Sequence, residues 1–549
     1  MLSQDLLTYL RRSRMKKIVA TLVALLSVAG TTNAIAADKP IYVLSSNSAA
    51  TITEIATTGD DFGGFILPGA PDGMGAYKNA DGTITLLSNH EVALYDPIGK
   101  AGVQPATPSG TYGSSISKMI YDPTLGKITS AEPLIKNVTY YNYNTAKWQP
   151  TYLNSAPVGT PSDFTYSPTS ISAIFQNGLN RFCSASLVPA GGLKSGSLGY
   201  NGAVFLTGEE GSGDYSRAFA FDMAGNGIQL PHFGLVQYEN FLVAQNTGKS
   251  TVVMANEDNG ATTSQAYMYV GTKTSKGNFA DKAGFTNGDL YTFVVENADN
   301  DNMFRALYGK TKKANVSFSK LPVDQKFATT ADEAQRLGTT FSRIEDGEFD
   351  PKNSNIYYFI TTESNKNPTS TSSNPATPTT SRDGGALWKM TFKDISKPLQ
   401  GAKLEMLLDG SEVPYLSKPD NLAIDESGYL LMQEDPGGND HVARVIAYRL
   451  SDGAIKEVAA FDPKYFSKTG RALITTDEES SGIINANSLL RKKGDSNSYF
   501  FFNAQVHTFG GAALARPDLA PTNLTAFNNA TYEGGQYYLL KVDFKKLFS

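Results

Sequence analysis

Acidic side chains stand at the ends of several predicted β-strands, a position from which they could bind a shared cation. Four strand-like apolar runs stop at such residues, in the endings Asn89-His90-Glu91, Gly208-Glu209-Glu210, Asn256-Glu257-Asp258 and Gln433-Glu434-Asp435. Crowded carboxylates repel one another unless protons or cations neutralise them. Oxygen-rich clusters suit hard cations such as Ca²⁺, Mg²⁺ or Fe³⁺. Each ending taken singly is typical of a solvated turn, but four of them at the same structural place favour a metal cluster.

Cys183 is the only cysteine among the 549 residues, so no disulfide can form within one chain. On local sequence alone a lone cysteine after Phe182 is typical of a small buried hydrophobic residue. A thiolate is also a metal ligand. The chain has no convincing serine-nucleophile elbow, and Cys183 lacks the signature of a thiol protease. Hydrolysis assisted by clustered cations needs neither.

The elements that must position these residues are short β-hairpins. Turns such as Asp81-Gly82 and Asp350-Pro351-Lys352-Asn353 precede β-rich runs at residues 83–87 and 356–360, and similar turns precede residues 429–432 and 499–502. Many hairpins with little helix are typical of radially arranged four-stranded blades. We therefore predict an all-β fold, a β-propeller with loop insertions, in which strand ends meet around a central channel. A pair of β-sandwiches is the structural alternative.

The first 36 residues have the organisation of an export signal. Five basic residues between positions 11 and 17 precede an apolar run over residues 18–30 and the small-residue pattern Ala34-Ile35-Ala36. The segment Arg11-Arg12-Ser13-Arg14 partly matches a twin-arginine signal, and the choice between that route and general secretion stays open. We expect a periplasmic or extracellular protein.

The remainder, residues 37–549, is predicted to form a single propeller domain. Residues 367–382 are rich in Ser, Thr, Pro and Asn and predict an exposed insertion. The formal net charge is −5 and becomes more negative when the basic N-terminal segment is removed, which argues against a nucleic-acid partner. No other stretch is long and apolar enough to predict a membrane span. We expect a monomer.

Short motifs in a fixed order resemble the PhoX-type alkaline phosphatase family. Their order is more specific than any one of them, and they extend from residue 72 to residue 507. The motifs are Asp72-Gly73-Met74-Gly75, Leu87-Ser88-Asn89-His90-Glu91, Cys183-Ser184, Thr207-Gly208-Glu209-Glu210, Asn256-Glu257-Asp258, Ser342-Arg343-Ile344-Glu345-Asp346, Pro419-Asp420-Asn421 and Asn503-Ala504-Gln505-Val506-His507.

The resemblance implies a six-bladed propeller that removes phosphate from monoesters outside the cytoplasm. It also implies a central site with two ferric ions and several calcium ions bridged by an oxo group. Carried over by position, Cys183 would be the thiolate ligand of iron and Arg343 would grip the phosphate. The predicted carboxylate ligands, with strand-end acids included, are Glu91, Glu209, Glu210, Glu239, Asp258, Glu345 and Asp420. His507 either helps bind phosphate or caps a strand, and we place it with Arg343 in the predicted catalytic set.

The chain also departs from the family around these ligands. Arg181-Phe182-Cys183-Ser184 lacks the asparagine usual before the cysteine and the glycines usual after it, and the histidine commonly found before Glu239 is absent. Two alternatives therefore stay open. One is a non-catalytic propeller in which calcium ties the blades together, and the other is a calcium-dependent lactonase or phosphotriesterase.

Overall fold

The computed structural model describes residues 39–92, 112–142, 146–150, 178–211, 216–260, 263–323, 329–362, 385–414, 416–437, 441–508, 511–519 and 524–549. The predicted export signal and the predicted insertion at residues 367–382 lie outside these ranges. Pro40–Ser549 forms one compact unit, to which everything below refers. No helix among the described residues is long and apolar enough to cross a membrane.

Antiparallel hairpins join into six blades, numbered here along the chain, as the sequence predicted for a propeller. The strands of blade 1 are Pro71–Lys78, Ile84–His90, Ser115–Asp122 and Lys127–Pro133. The strands of blade 2 are Phe182–Val188, Val204–Glu209, Ala218–Asp222 and Asn226–Gln229, extended at the outer edge by Asn137–Asn142 and Lys147–Pro150. The strands of blade 3 are Tyr238–Val243, Ser250–Glu257, Ala266–Thr272, Asp289–Val295 and Ala314–Lys320.

The second half of the chain forms the other three blades. The strands of blade 4 are Ile344–Phe349, Ile356–Thr361, Ala386–Phe392 and Ala402–Leu408, and the last of these pairs with the outer strand of blade 3. The strands of blade 5 are Pro419–Ile424, Tyr429–Glu434, Arg444–Arg449 and Ala454–Phe461, with Val43–Ser45 at the edge. The strands of blade 6 are Glu478–Asn485, Ser498–Val506, Gly534–Val542 and Ala50–Thr57.

Blade 6 closes the ring because its outermost strand comes from the other end of the chain. Ala50–Thr57 pairs with Gly534–Val542 in antiparallel register, so residues near the two ends of the unit share one sheet. Adjacent first strands contact each other all the way round, including blade 6 with blade 1. The first strand of each blade, called the inner strand below, therefore lines the central channel.

Local sequence explains the hairpins and the few helices. Gly82 connects the first two strands of blade 1 with φ +91°, a conformation that glycine adopts without steric cost. The longest helix among the described residues is Thr329–Leu337. Short helices Phe279–Ala283, Asp301–Leu307, Pro463–Phe466, Asn487–Leu490, Leu524–Thr531 and Phe544–Leu547 and the 3₁₀ turns Pro231–Phe233, Pro398–Gln400 and Ala512–Ala515 occur in connections or beside the sheets.

Buried aromatic and aliphatic side chains fill the spaces between neighbouring blades. Trp388, Phe359 and Phe341 pack together between blades 3 and 4, with ring centroids 5.5–5.9 Å apart. Phe502 and Tyr538 stack in the equivalent layer between blades 5 and 6. These apolar layers hold the inner strands rigidly enough to position side chains at the channel.

Candidate metal centre

The second residue of every inner strand is an acid or the cysteine. In all six blades the first residue of the inner strand pairs with the last residue of the second strand, so the register repeats around the ring. Side chains alternate along a strand, and this shared register therefore gives the next residue the same place in each blade. The six side chains, called the acidic ring below, are Asp72, Cys183, Glu239, Glu345, Asp420 and Glu479.

The residue that follows each second strand forms a rim beside the acidic ring. In five blades its amide donates a hydrogen bond to the carbonyl of the residue before the inner strand, over 2.8–3.1 Å. This repeated bond fixes the strand ends that the sequence singled out. The rim positions are Glu91, Glu210, Asp258, Thr362, Asp435 and His507.

All members of the ring and rim except Asp72 and Thr362 line a cavity of about 340 Å³ at this mouth of the channel. Nine of the ten predicted site residues line it, together with Arg181, Asp435, Asp477, Glu479 and Glu533. The nine are Glu91, Cys183, Glu210, Glu239, Asp258, Arg343, Glu345, Asp420 and His507. Side chains hundreds of residues apart in sequence thus converge at one place.

Three sets of ligand atoms lie close enough to share cations. Within each set the atoms lie within 4.8 Å of one another. Cys183 belongs to two sets and Glu239 to two, so the three sets form one connected cluster. The sets are Asp72 with Glu91 and Cys183, Cys183 with Glu210 and Glu239, and Glu239 with Glu345 and Asp420.

Burial and mutual repulsion make negative charge costly in this cluster. Burial, with the charges of Glu479 and Glu91 adding to it, raises the pKa of Asp72 well above its ordinary value. Burial likewise raises the pKa of the Glu239 carboxyl and of the Cys183 thiol, and it raises the pKa of Glu91 to about 7. The carboxylates and the thiolate can be ionised together only if cations neutralise them.

Two buried carboxylate oxygens point to cations rather than to protein donors. Asp72 Oδ1 and Glu239 Oε1 accept no hydrogen bond from any described residue, although both are shielded from solvent. Buried polar atoms are nearly always paired, so these two need a partner that the polypeptide does not supply. The donor set of one sulfur and several carboxylate oxygens fits a mixed cluster of iron with a hard cation such as calcium.

Arg343 reaches over the same cavity and is held there by Asp258. Its Nε and Nη2 donate to the two carboxylate oxygens of Asp258 over 2.8 and 2.6 Å, a bidentate pair that fixes the plane of the guanidinium. Asp258 lies outside the three ligand sets because both of its oxygens face Arg343. The structure thus shows Asp258 orienting Arg343, and its predicted role as a metal ligand stays a prediction.

His507 is hydrogen-bonded at the cavity wall between two glutamates. Its Nδ1 lies 2.6 Å from Glu533, and its Nε2 lies 3.5 Å from Glu479. Burial acts to lower the pKa of His507, but the two carboxylates outweigh it and raise the pKa well above the ordinary value. Burial acts to raise the pKa of Glu479, but its contacts with His507 and Ser481 outweigh burial and lower that pKa.

Glu209 corrects the sequence prediction, which made it a metal ligand beside Glu210. Glu209 is the last residue of its strand and faces the opposite way from its neighbour, into blade 2. There its carboxylate accepts hydrogen bonds from the Arg217 side chain over 2.6 and 2.7 Å and from the Asn180 amide over 2.9 Å. Both residues of the ion pair are almost fully buried. Arg217 therefore supplies the counter-charge that a cation would otherwise provide.

Sequence reasoning missed five charged residues at the cavity, namely Arg181, Asp435, Asp477, Glu479 and Glu533. It also missed Asp72, whose carboxylate lies 3.0 Å from the Cys183 sulfur. Asp435 ended one of the acidic motifs, and Asp72 began another. The signal for Glu479 was its place as second residue of a predicted strand, as in Pro419-Asp420 and Ile344-Glu345. No comparable signal marks Glu533.

Fold and site together define a six-bladed propeller with a carboxylate and thiolate centre at one mouth. The sequence profile of the family described as alkaline phosphatase PhoX matches residues 222–490. The chain therefore belongs to the PhoX alkaline phosphatase family, whose members are phosphomonoesterases, and the resemblance inferred from the motifs is confirmed.

Among the solved structures compared, the first supports the fold. Pseudomonas fluorescens PhoX in complex with vanadate, a transition-state analogue, matches with a TM-score of 0.59 at 12% identity, covering 93% of this chain and 97% of that one. A Penicillium chrysogenum α-L-arabinanase complexed with arabinobiose matches with a TM-score of 0.40 at 10% identity, covering 90% and 99%. A Fusarium graminearum α-L-arabinofuranosidase bound to an iminosugar inhibitor has a TM-score of 0.39 at 8% identity, covering 91% and 99%. A search of curated proteins found no match.

Proposed function

We propose that this protein is an exported, metal-dependent phosphatase that hydrolyses phosphate monoesters at an iron and calcium cluster held by the acidic ring. One observation carries the proposal. Five carboxyl groups and one thiol occupy the same strand position in six blades, where burial opposes the charge of Asp72, Cys183 and Glu239. Five of the six side chains line one cavity, and the sixth, Asp72, lies 3.0 Å from the Cys183 sulfur. Such an arrangement costs stability unless cations bind there.

The ligand sets suggest how the cations would be divided. Cys183 with Asp72, Glu91, Glu210 and Glu239 would hold iron, because the cluster has its single soft ligand there. Glu239 with Glu345 and Asp420 is an all-oxygen set that suits calcium. Bound cations would supply Lewis acidity and offset the negative charge of the phosphoryl group.

The protein's own contribution is to bind and orient the substrate. Arg343, fixed by Asp258, presents a planar guanidinium whose geometry matches two phosphate oxygens. His507, fixed between Glu533 and Glu479, places an imidazole at the same cavity for a further contact to the phosphoryl group. The binding of vanadate by the structural neighbour in P. fluorescens supports a phosphoryl-sized ligand for this mouth.

The decisive experiment combines metal analysis with turnover of a chromogenic monoester. We expect iron and calcium in protein made with its own N-terminal segment, and saturable hydrolysis of p-nitrophenyl phosphate. Cys183→Ala and Arg343→Ala should each lower kcat/KM at least about 100-fold, the first with loss of iron and the second without it.

Arg449→Ala is the matched control, since Arg449 pairs with exposed Asp452 on the outer part of blade 5. Full activity of both site variants would refute the assignment. Calcium without iron and no turnover of any phosphoester would favour a non-catalytic propeller. Hydrolysis of a lactone or a phosphotriester in preference to the monoester would favour the remaining alternative.

Export is supported by residues 1–36 alone, with their basic start, apolar run and Ala34-Ile35-Ala36. The expected result is a mature protein outside the cytoplasm that begins close to residue 37. N-terminal sequencing of the protein from fractionated cells checks this, and a full-length protein retained in the cytoplasm would contradict it.

A further inference from the structure

The arrangement around Arg343 occurs a second time in the ring, around Arg181. Arg343 immediately precedes the inner strand of blade 4, and Arg181 immediately precedes the inner strand of blade 2. Each stands two residues before a member of the acidic ring, Glu345 and Cys183 respectively. Both arginines also have a left-handed backbone, with φ +59° and +48°.

The ion pairs repeat together with the positions. Arg343 pairs with Asp258, the rim residue of the preceding blade, and Arg181 pairs with Glu91, again the rim residue of the preceding blade. Arg181 makes an additional ion pair with Glu210, over 3.0 Å. One three-part unit, rim carboxylate, arginine and ring ligand, is therefore present twice, two blades apart.

The other four blades lack this unit. The residues that precede their inner strands are Ala70, Gln237, Lys418 and Asp477. Ala70 and Lys418 share the left-handed backbone, with φ +45° each, so that conformation belongs to this position of the blade and not to the arginines. What singles out Arg181 and Arg343 is the guanidinium and its pairing with the rim carboxylate of the preceding blade.

Both guanidiniums are placed to meet a ligand. Both arginines line the cavity of about 340 Å³. The exposed fraction is 44% for the Arg181 side chain and 29% for the Arg343 side chain. Arg181 Nε is a buried donor with no acceptor among the described residues. A tetrahedral phosphoryl group has enough oxygens for two guanidiniums, which bind it best as planar, bidentate donors.

We propose that Arg181 is a second phosphate-contacting arginine, so that the phosphoryl group is held between Arg181 and Arg343; this rests on the proposed phosphatase function. The departure of this segment from the family pattern at Arg181-Phe182-Cys183 is then a change in substrate binding. The competing explanation is that Arg181 stands in for a metal ion between Glu91 and Glu210. The two explanations differ in what removal of the guanidinium does to metal content.

Binding of inorganic phosphate to the metal-loaded protein is the test, measured by isothermal titration calorimetry beside metal content from elemental analysis. Arg181→Gln should weaken phosphate binding about 10- to 100-fold, raise the KM for p-nitrophenyl phosphate similarly and leave the iron and calcium content unchanged. Arg181→Lys should recover part of the lost phosphate affinity, because lysine restores the positive charge but not the bidentate geometry of the guanidinium. Arg449→Gln should leave all of these quantities at the wild-type value.

The outcomes separate this inference from the function on which it rests. Unchanged phosphate affinity in Arg181→Gln, with affinity lost in Arg343→Gln, would overturn the role of Arg181 and keep the phosphatase. An additional calcium ion in Arg181→Gln with unchanged phosphate affinity would also overturn it and identify the guanidinium as a cation substitute. A third outcome is that the wild type binds phosphate but hydrolyses no monoester, and that Arg181→Gln abolishes the binding. The proposed function then fails and the phosphate contact stands.

Discussion

The two mouths of the central channel are built from the same six inner strands and differ in how they neutralise charge. The acidic mouth is made by the first residues of these strands. The opposite mouth, a cavity of about 440 Å³, is made mainly by residues two to seven positions after the first, and its wall mixes apolar side chains such as Leu242 and Leu422 with polar ones such as Asn240 and Asp346. A shared backbone geometry therefore supports two unlike sites.

Neighbouring acids of blade 4 show the difference most directly. Glu345 belongs to the acidic ring, and burial with the charge of Asp258 raises its pKa well above the ordinary value. Asp346 lines the opposite mouth and accepts hydrogen bonds from the amides of Gly347 and Leu422 and from the Asn240 side chain, over 2.5–3.1 Å. Burial raises the pKa of Asp346 too, to about 7, but the protein supplies this carboxylate with three donors of its own. Glu345 faces the cavity with the Arg343 guanidinium 3.5 Å away, beside other acids of the ring, and we expect cations to neutralise it.

Glu239→Gln tests that contrast with the largest expected effect. Glu239 belongs to two ligand sets and has an unpartnered buried oxygen, so the substitution removes both a ligand and a repelling charge. We expect activity to fall at least about 100-fold and metal content to drop. In chelator, by contrast, the variant should be more stable than the wild type by about 1–3 kcal/mol, because less like charge is buried.

Activity, elemental analysis and thermal unfolding with and without chelator check this prediction. Glu348→Gln, which changes a carboxylate of the opposite mouth, is the matched control and should keep wild-type activity and metal content. A Glu239→Gln protein with full metal content would mean that the acidic ring does not hold the cations.

Glu209 and Glu210 allow the same contrast to be tested on adjacent residues. Glu209→Gln removes the carboxylate from a buried ion pair with Arg217 and should lower the free energy of unfolding by about 3 kcal/mol without loss of metal. Glu210→Gln should show the reverse, with reduced metal content and little loss of stability. Chemical denaturation and elemental analysis of both variants decide the point. Metal loss in Glu209→Gln without destabilisation would restore Glu209 as a ligand.

At each mouth one asparagine donates a hydrogen bond to the backbone of a neighbouring blade, so the two mouths can be compared through equivalent contacts. Asn503 of blade 6 donates to the carbonyl of Asp72 over 2.6 Å, and so fixes a ring ligand across the blade boundary. Asn485 makes the corresponding bridge to the carbonyl of Ile424 over 2.9 Å at the opposite mouth. Both alanine variants should lose about 1–2 kcal/mol of stability, since each removes a hydrogen bond across a blade boundary.

Only Asn503→Ala should also lower activity, by about tenfold, with a decrease in kcat rather than a rise in KM. Steady-state kinetics on both variants at a temperature where both are folded provide the measurement. Equal activities in the two variants would show that the bridge to Asp72 has a structural role alone.

The hairpins and the strand-end acids could be predicted because they are local patterns. Asp81-Gly82 and the run after it show a turn and a strand within a few residues, and Glu91 and Glu210 follow their strands directly. The acidic ring could be predicted only in part, because it depends on register across six blades. Glu479 is an ordinary residue in its own segment and becomes a site residue only when its strand is aligned with those of Glu345 and Asp420.

The prediction that Glu209 binds a metal ion failed for a related reason. Two adjacent acids at a strand end look equivalent in the sequence, but the alternation of side chains sends them to opposite faces. Which of them faces the channel is decided by the bulge and register of the neighbouring strand. The partner that neutralises Glu209, Arg217, lies on the next strand of the same blade, and its pairing depends on the folded hairpin.

The smallest predicted effect concerns the pH dependence of stability at the opposite mouth. Burial, with the nearby charge of Asp346, raises the pKa of Glu348 to about 8 from an ordinary value of 4.5. Between these values the folded protein keeps a proton that the unfolded chain releases, so this group makes the free energy of unfolding decrease as pH rises from 4.5 to 8. Glu348→Gln should remove that contribution. Because the Glu348 side chain is partly exposed, we expect a difference of only about 1 kcal/mol, or 1–2 °C in Tm, between pH 5 and pH 9. Thermal unfolding of both proteins at the two pH values measures this difference. Parallel pH profiles would show that hydration already stabilises the ionised Glu348 carboxylate.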